Sequence, residues 1–244
     1  MKSNMTENQR VRHNGNVKKE NSARLLVYGL TKRIFDLTSS FVCGICWIIP
    51  FVLIALSILI RSPGNPFYKQ ERVGKDGKTL YIYKFRSMKK DADNIEEMLT
   101  PEQLEKYRRE YKLDDDPRLI GYRRKGDGSE GRCFGAKLRN TSVDELPQIL
   151  FNICLLGNMS VVGPRPILAE ELHRNYTAEE QALFLSVKPG LTGYWQAYGR
   201  SEVGYENHKR QDMELYYVRN RSLTFDIRIL FKTVDSVLHG KGAK

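Results

Sequence analysis

The residues best equipped for chemistry lie in one stretch, LRNTSVDELPQILFNICLLGNMSVVGPRP, residues 138–166. Asp144 and Glu145 are adjacent acids, preceded by Thr141-Ser142 and followed by an apolar run. Two readings fit them. Ser142-x-x-Glu145 has the form of a capping box, and acids in a first helical turn complement the helix dipole. The same free N–H groups also depress a carboxylate's pKa and can hold a phosphate. Arg139 lies five residues ahead of Asp144. An ionised Asp beside phosphate-binding cations can attack phosphorus, while a second carboxylate helps hold Mg²⁺ across the phosphates.

Other groups suit the same chemistry. In Gly163-Pro164-Arg165-Pro166, two prolines stiffen the backbone around one guanidinium, which suits bidentate phosphate recognition; a turn with an incidental Arg fits equally well. In TLYIYKFR, period-two alternation puts Lys84 and Arg86 on one face and Tyr83 and Phe85 on the other, a phosphate grip or a solvated face. The aromatics of PGLTGYWQAYGR suit base stacking, a membrane interface or a core. Asp114-Asp115-Asp116 before Pro117 reads as a solvated turn rather than a metal site. The C-x-x-C of Cys43 and Cys46 lies inside an apolar run and has no second pair to complete a zinc site. His13, His173, His208 and His239 show no metal spacing.

These groups need positioning, and the elements that do it begin with a membrane segment. Leu37 to Ile60 is 24 residues without a charge, which as one helix spans roughly 36 Å against about 30 Å of hydrocarbon. Basic residues flank both ends, and Pro50 divides the run into pieces each too short to cross alone. A kinked hairpin that enters and leaves by one face satisfies these observations; an ordinary span with a proline kink is the alternative. The formal charge is +11, from 40 basic and 29 acidic residues, and suits nucleic acid, anionic lipid or phosphate-bearing substrates without choosing among them. Residues 1–33 hold eight Lys/Arg against Glu7 and Glu20, and residues 1–22 read as a disordered basic arm.

Beyond the apolar run, Lys75-Asp76-Gly77-Lys78 predicts the turn of a β-hairpin. Residues 90–112 have an amphipathic helical pattern interrupted at Thr100-Pro101. Gly121 to Gly135 reads as a surface loop. Thr177-Ala178-Glu179-Glu180 opens a short helix through Ser186, and Phe225 to His239 forms a final amphipathic helix. The fold class is α+β: a re-entrant membrane helix hairpin, then a small cytoplasmic domain with a β-hairpin and amphipathic interfacial helices. The chain divides into a basic, largely disordered arm at 1–30, the membrane segment at 31–61 and a catalytic domain at 62–244.

Taken in order, the proline-centred apolar segment, SPGNPFYKQERVG, YKFRSM, LRNTSVDELPQ, VVGPRP, PGLTGYWQ and DIRILFKTV resemble the bacterial sugar transferase family, over about residues 31–242. That family comprises monotopic polyprenyl-phosphate sugar-1-phosphate transferases, which begin polysaccharide or glycoconjugate assembly. The resemblance implies a re-entrant helix, a catalytic domain on the cytoplasmic face of the bacterial membrane, Mg²⁺ as cofactor, and a UDP-sugar and polyprenyl phosphate as substrates. It implies that Asp144 attacks the β-phosphate and releases UMP. An aspartyl phosphosugar then passes its phosphosugar to the lipid phosphate. Glu145 becomes the metal-binding or proton-handling partner, and Arg139, Arg165, Lys84 and Arg86 meet phosphates. Glu214 stands where an Asp is expected before Tyr216-Tyr217 and receives no role. The loop near Arg123–Arg132 is longer than expected, and the four-helix membrane module of longer relatives is absent. The basic arm suits anionic lipid. Nucleic acid is not expected as a partner, and self-association is left open. Competing functions are a glycosyltransferase that releases UDP and a membrane-tethered basic binding protein; a polymer-length regulator would need two membrane crossings.

Overall fold

A computed structural model describes residues 7–110, 113, 115–122, 133–199 and 205–238. It opens with one helix, α1 (Glu7–Arg61), 55 residues long. Residues 7–30, expected in a disordered arm, are the first turns of this helix. Once the apolar run has nucleated a helix, each added residue brings one hydrogen bond, so a polar stretch without proline propagates it. Nor is the helix interrupted at Pro50, which lies inside it. In apolar surroundings each peptide group needs a partner in its own segment, so losing one bond at a proline costs less than ending the helix. The 38 residues from Arg24 to Arg61 are long and apolar enough to cross a membrane, with a mean hydropathy of 2.7 in their most apolar stretch.

Two parts of α1 dock on the same domain through different chemistry. Just ahead of the apolar run, Asp36 is buried and accepts hydrogen bonds from Ser160 Oγ (2.7 Å) and the Val161 amide (3.0 Å). Arg33 donates to the Ile153 carbonyl at 2.8 Å. It passes Gly157 so closely that a Cβ there would lie 2.7 Å from a guanidinium nitrogen, and Gly157 also needs its positive φ of 61°. Tyr28 (3.0 Å) and Lys32 (2.8 Å) both donate to one oxygen of Asp226, whose other oxygen accepts from Tyr217 at 2.8 Å. Near the end of α1 the contacts are apolar: Ile58 is fully buried against Phe85, Ile120 and Leu138, with Phe51 and Ile54 alongside.

The hairpin forms as the Asp-Gly signal predicts. β1 (Phe67–Val73) and β2 (Thr79–Phe85) pair antiparallel around Asp76 and Gly77, both at positive φ. The amphipathic pattern near residue 100 resolves into α2 (Ile95–Met98) and α3 (Pro101–Glu110), broken where Pro101 was expected to interrupt it. Of the predicted 121–135 loop, residues 123–132 lie outside the described residues. Its end belongs to α4 (Phe134–Asn140), with Gly135 buried where a Cβ would come within 2.2 Å of the Ser87 carbonyl oxygen. A second, parallel pair joins β3 (Ser160–Val162) to β4 (Gly190–Thr192). Between the strands lie α5 (Ala169–Asn175) and α6 (Ala178–Phe184); the predicted capping box opens α6, with Glu180 accepting from the Thr177 amide at 2.9 Å. The chain closes with α7 (Tyr194–Tyr198), α8 (Lys209–Asn220) and α9 (Leu223–Leu238). The architecture is mixed α and β, with one long apolar helix laid against a small domain.

Candidate active site

α4 ends at Asn140, and the chain turns through Ser142, held at φ 55°, into a single 3-10 turn, Val143–Glu145. The capping box that Ser142 and Glu145 suggested does not form. No side chain caps this turn, and Glu145 instead pairs with Lys84 Nζ at 2.8 Å. The following run, expected as an ordinary helix, is a π-helix over Ile149–Leu155. Such wide turns inside proteins are rare and occur mostly near functional sites.

Asn152 explains how this wide turn is held. It is fully buried and reaches the edge of β2, where its Oδ1 accepts from the Tyr83 amide (3.0 Å) and its Nδ2 donates to the Tyr81 carbonyl (2.7 Å). An amide side chain thus takes the place of a neighbouring strand. That contact fixes the strand bearing Lys84 against the segment bearing Asp144 and Glu145. The sequence reading missed Asn152; a lone polar residue within ILFNICL was its only signal.

Asp144 itself is buried, and the consequence reverses the expected pKa. Burial dominates and pushes its carboxyl up to about 6, with Glu145 adding to the rise; Lys84 and Arg139 pull the other way. A short 3-10 turn does not offer enough compensation for lost hydration. At neutral pH the group is still largely ionised.

Beside the turn opens a cleft of about 610 Å³, within the usual size for small-molecule sites. Lys84 and Glu145 line one part, and Arg165 and Arg72 another, with Ser40 and Trp47 of α1 completing the wall. Arg165 stands over the ring of Trp195 at 5.6 Å. Gly163 lets its segment pass β4, since a Cβ there would come within 2.6 Å of the Lys188 carbonyl oxygen. Arg72 is a second residue that the sequence reading missed. Burial first, and then Arg165, make its guanidinium less basic than usual. The signal was present in the hairpin: Arg72 faces Leu80 and Lys84 faces Tyr68, so Arg72 and Lys84 share one side of the sheet.

The remaining candidates separate. Arg139 is exposed on α4 and acts on Asp144 through its charge alone. Arg86 is corrected: it does not line the cleft but turns to the carbonyls of Ser62 and Pro63. There it serves the end of α1, where a cation complements the exposed carbonyls. Glu214, given no role, is fully buried and accepts from the Arg165 amide at 3.4 Å; burial raises its pKa to about 7 against the opposing pull of Arg210. Arg210 packs over Trp195 at 4.1 Å and pairs with Glu171 at 3.3 Å, so this buried network backs the arginine of the cleft. Of the acidic triplet, Asp116 pairs with Arg118 at 2.8 Å and Asp115 accepts from Tyr122, while Asp114 lies outside the described residues.

Among the described residues, no three His, Cys, Asp or Glu side chains gather into a protein-only metal cage. The donor set of Asp144 and Glu145 fits the usual Mg²⁺ arrangement, in which one or two carboxylates share the ion with substrate phosphates. A cation there would also offset the cost of an ionised, buried Asp144.

Several known proteins are similar to this chain over most of its length. The 35% identity to an exopolysaccharide production protein, ExoY, of Rhizobium meliloti runs over 230 residues, covering 93% of this chain and 94% of that one. A UDP-galactose-lipid carrier transferase of Erwinia amylovora is 39% identical over 87% of the chain. The undecaprenyl-phosphate galactose phosphotransferase of Salmonella typhimurium is 38% identical over a similar share. The chain spans 41% of the length of the latter two proteins. Residues 27–240 match the family described as bacterial sugar transferase. The chain therefore belongs to the bacterial sugar transferase family.

Proposed function

We propose that this chain transfers a sugar-1-phosphate from a UDP-sugar to polyprenyl phosphate at the cytoplasmic face of a bacterial membrane, an early step in exopolysaccharide synthesis. The observation that carries the reading is a buried carboxylate, Asp144, next to the Lys84–Glu145 ion pair; Lys84 and Glu145 line the cleft together with Arg72 and Arg165, and Asp144 lies just behind that lining. Family membership and the relatives' printed names supply the substrate class.

In this reading an oxygen of ionised Asp144 attacks the β-phosphorus of the donor. The bond from that phosphorus to the bridging oxygen breaks, and UMP leaves with the bond's electrons. An oxygen of the acceptor phosphate then attacks the same phosphorus, frees Asp144 and yields a polyprenyl diphosphate sugar. Lys84 holds Glu145 beside the reacting centre and meets phosphate charge there. Arg72 and Arg165 bind the donor's phosphates, with Arg165 stiffened by its prolines. Arg139 favours the ionised form of Asp144 through its charge. Asp144 and Glu145 would hold Mg²⁺, which when bound neutralises phosphate charge and favours departure of UMP.

The membrane segment fits re-entry. Tyr28, Lys32 and Asp36 before the apolar stretch, and Ile54 and Ile58 at its end, all dock on one domain, which supports the reading that both ends of the stretch lie on one side. Exposed apolar residues on α9 (Phe231, 74% exposed) and after the π-helix (Leu156) suit contact with the bilayer surface.

The test is nucleotide release from a panel of UDP-sugars with undecaprenyl phosphate and Mg²⁺. UDP-galactose heads the panel because two relatives name galactose. UMP appearing in step with lipid-linked sugar is expected. UDP in its place would mean transfer of the sugar alone. Asp144→Asn, nearly isosteric, should abolish turnover while leaving the protein folded and membrane-bound; wild-type rates in that variant would remove Asp144 as nucleophile.

A further inference from the structure

Gln196, on α7, lines the cleft with Thr192 of β4 and Thr233 of α9. The two threonine hydroxyls satisfy each other at 2.8 Å. Gln196 differs: its Oε1 is buried and has no hydrogen-bond partner among the described residues. It lies against Gly193, where a Cβ would come within 2.7 Å of it. An acceptor shut away from water without a donor costs the fold stability, so this carboxamide serves something other than packing.

The cations of the cleft form a row that leads to it. Lys84, beside the acid pair, shares a face of the hairpin with Arg72, and Arg72 feels the charge of Arg165. The Arg165 guanidinium in turn stands 5.6 Å from the ring of Trp195, the residue before Gln196. In phosphoryl transfer the attacking and leaving oxygens lie roughly in line, so the departing nucleotide extends from the reacting phosphorus away from Asp144. Its phosphate then follows the row, and its base arrives at the far end. We infer that Gln196 reads the uracil of the donor through its carboxamide. The inference rests on the proposed phosphosugar transfer and gives the nucleotide an orientation within it. A carboxamide sets an acceptor beside a donor, and the N3–H of uracil lies beside a carbonyl, so the two pair edge to edge. The terminal torsion of Gln is soft, so either end of the amide can turn to the cleft. Phosphate oxygens only accept, and the cations serve them. The transferred sugar donates from its hydroxyls, but it hangs on the phosphorus beside Asp144, at the other end of the row.

Steady-state kinetics with the full chain in nanodiscs, varying the UDP-sugar and undecaprenyl phosphate separately, test the inference. Gln196→Met keeps the length of the side chain and removes its amide. The expected result is a kcat/KM for the UDP-sugar lowered about tenfold or more, the change made by losing one or two buried hydrogen bonds. The kcat/KM for undecaprenyl phosphate should not change, because UMP has left before the acceptor reacts. The melting temperature should hold or rise, since an unpartnered buried acceptor is gone. A UDP-sugar methylated at uracil N3 supplies a measurement that needs no variant to fold. The wild type should use it about tenfold less well or worse. In Gln196→Ala, which loses the amide and leaves room, the same methyl should make little difference. Wild-type use of the UDP-sugar by Gln196→Met would overturn the assignment, as would undiminished use of the methylated donor by the wild type. A methyl penalty of equal size in the wild type and in Gln196→Ala would place the base elsewhere and also overturn it. So would an equal fall for both substrates with a lower melting temperature, the mark of a structural residue. Failure of the wild-type protein to release UMP would instead remove the reaction on which the inference rests.

Discussion

Asp144 is a group whose burial opposes stability. Its folded pKa of about 6 lies above the ordinary 3.8, so the ionised carboxylate is disfavoured in the native state. For an acid shifted upward the deficit is absent below the unfolded pKa, grows as pH rises from about 4 to 6, and is complete above that. Its size is on the order of 3 kcal/mol. Asp144→Asn should therefore melt at a higher temperature than the wild type at pH 7.5, by several degrees. The difference should shrink as the pH falls toward 4. Thermal melts across that range check it, and a less stable variant at pH 7.5 would contradict the electrostatic account. On the proposed mechanism the same group sets the rate: turnover should decline as the pH drops below about 6, because the carboxylate would be the attacking form. A group that lowers stability in this way fits the proposed reacting role better than that of a helix cap.

The π-helix and the strand beside it are joined through Asn152, so the effect of that side chain belongs to both elements. Asn152→Ala leaves the Tyr83 amide and the Tyr81 carbonyl without partners, at a cost of about 2–4 kcal/mol. Asn152→Asp keeps the acceptor but loses the donor, and should fall between. Urea titrations measure the stability loss. A matched fall in turnover is expected, because Lys84 would lose its register against Glu145. Much at this scale was legible in the chain. Asp76-Gly77 marks its hairpin and Thr177 with Glu180 marks a helix start, because those signals act within a few residues and tertiary contacts leave them intact. The acid pair was legible as a site, but its surroundings were not. Ser142-x-x-Glu145 has the letters of a cap, yet Lys84, about sixty positions away, competes for the carboxylate and wins with a full charge. Arg86 is misleading in the same way: strand alternation places it beside Lys84, but the carbonyls ending α1 lie closer. No periodicity distinguishes a π-helix from an α-helix over seven residues.

At the scale of the whole molecule, the proposed re-entry of α1 gives both ends of the chain one compartment. Its two docking zones share one domain, so tags at the chain's two ends should both resist external protease in sealed right-side-out vesicles. Cleavage of one tag alone would restore a simple span. Ser40 and Trp47 wall the cleft, Asp36 holds β3, and Tyr28 and Lys32 meet at the carboxylate of Asp226. A generic anchor of equal length and hydropathy spliced in place of α1 would still reach the membrane. It would leave Asp226 buried without its cation and open the cleft along one wall. This helix is thus no interchangeable mooring but a piece of the working part, and swapping it between relatives should succeed only when the residues it meets travel with it.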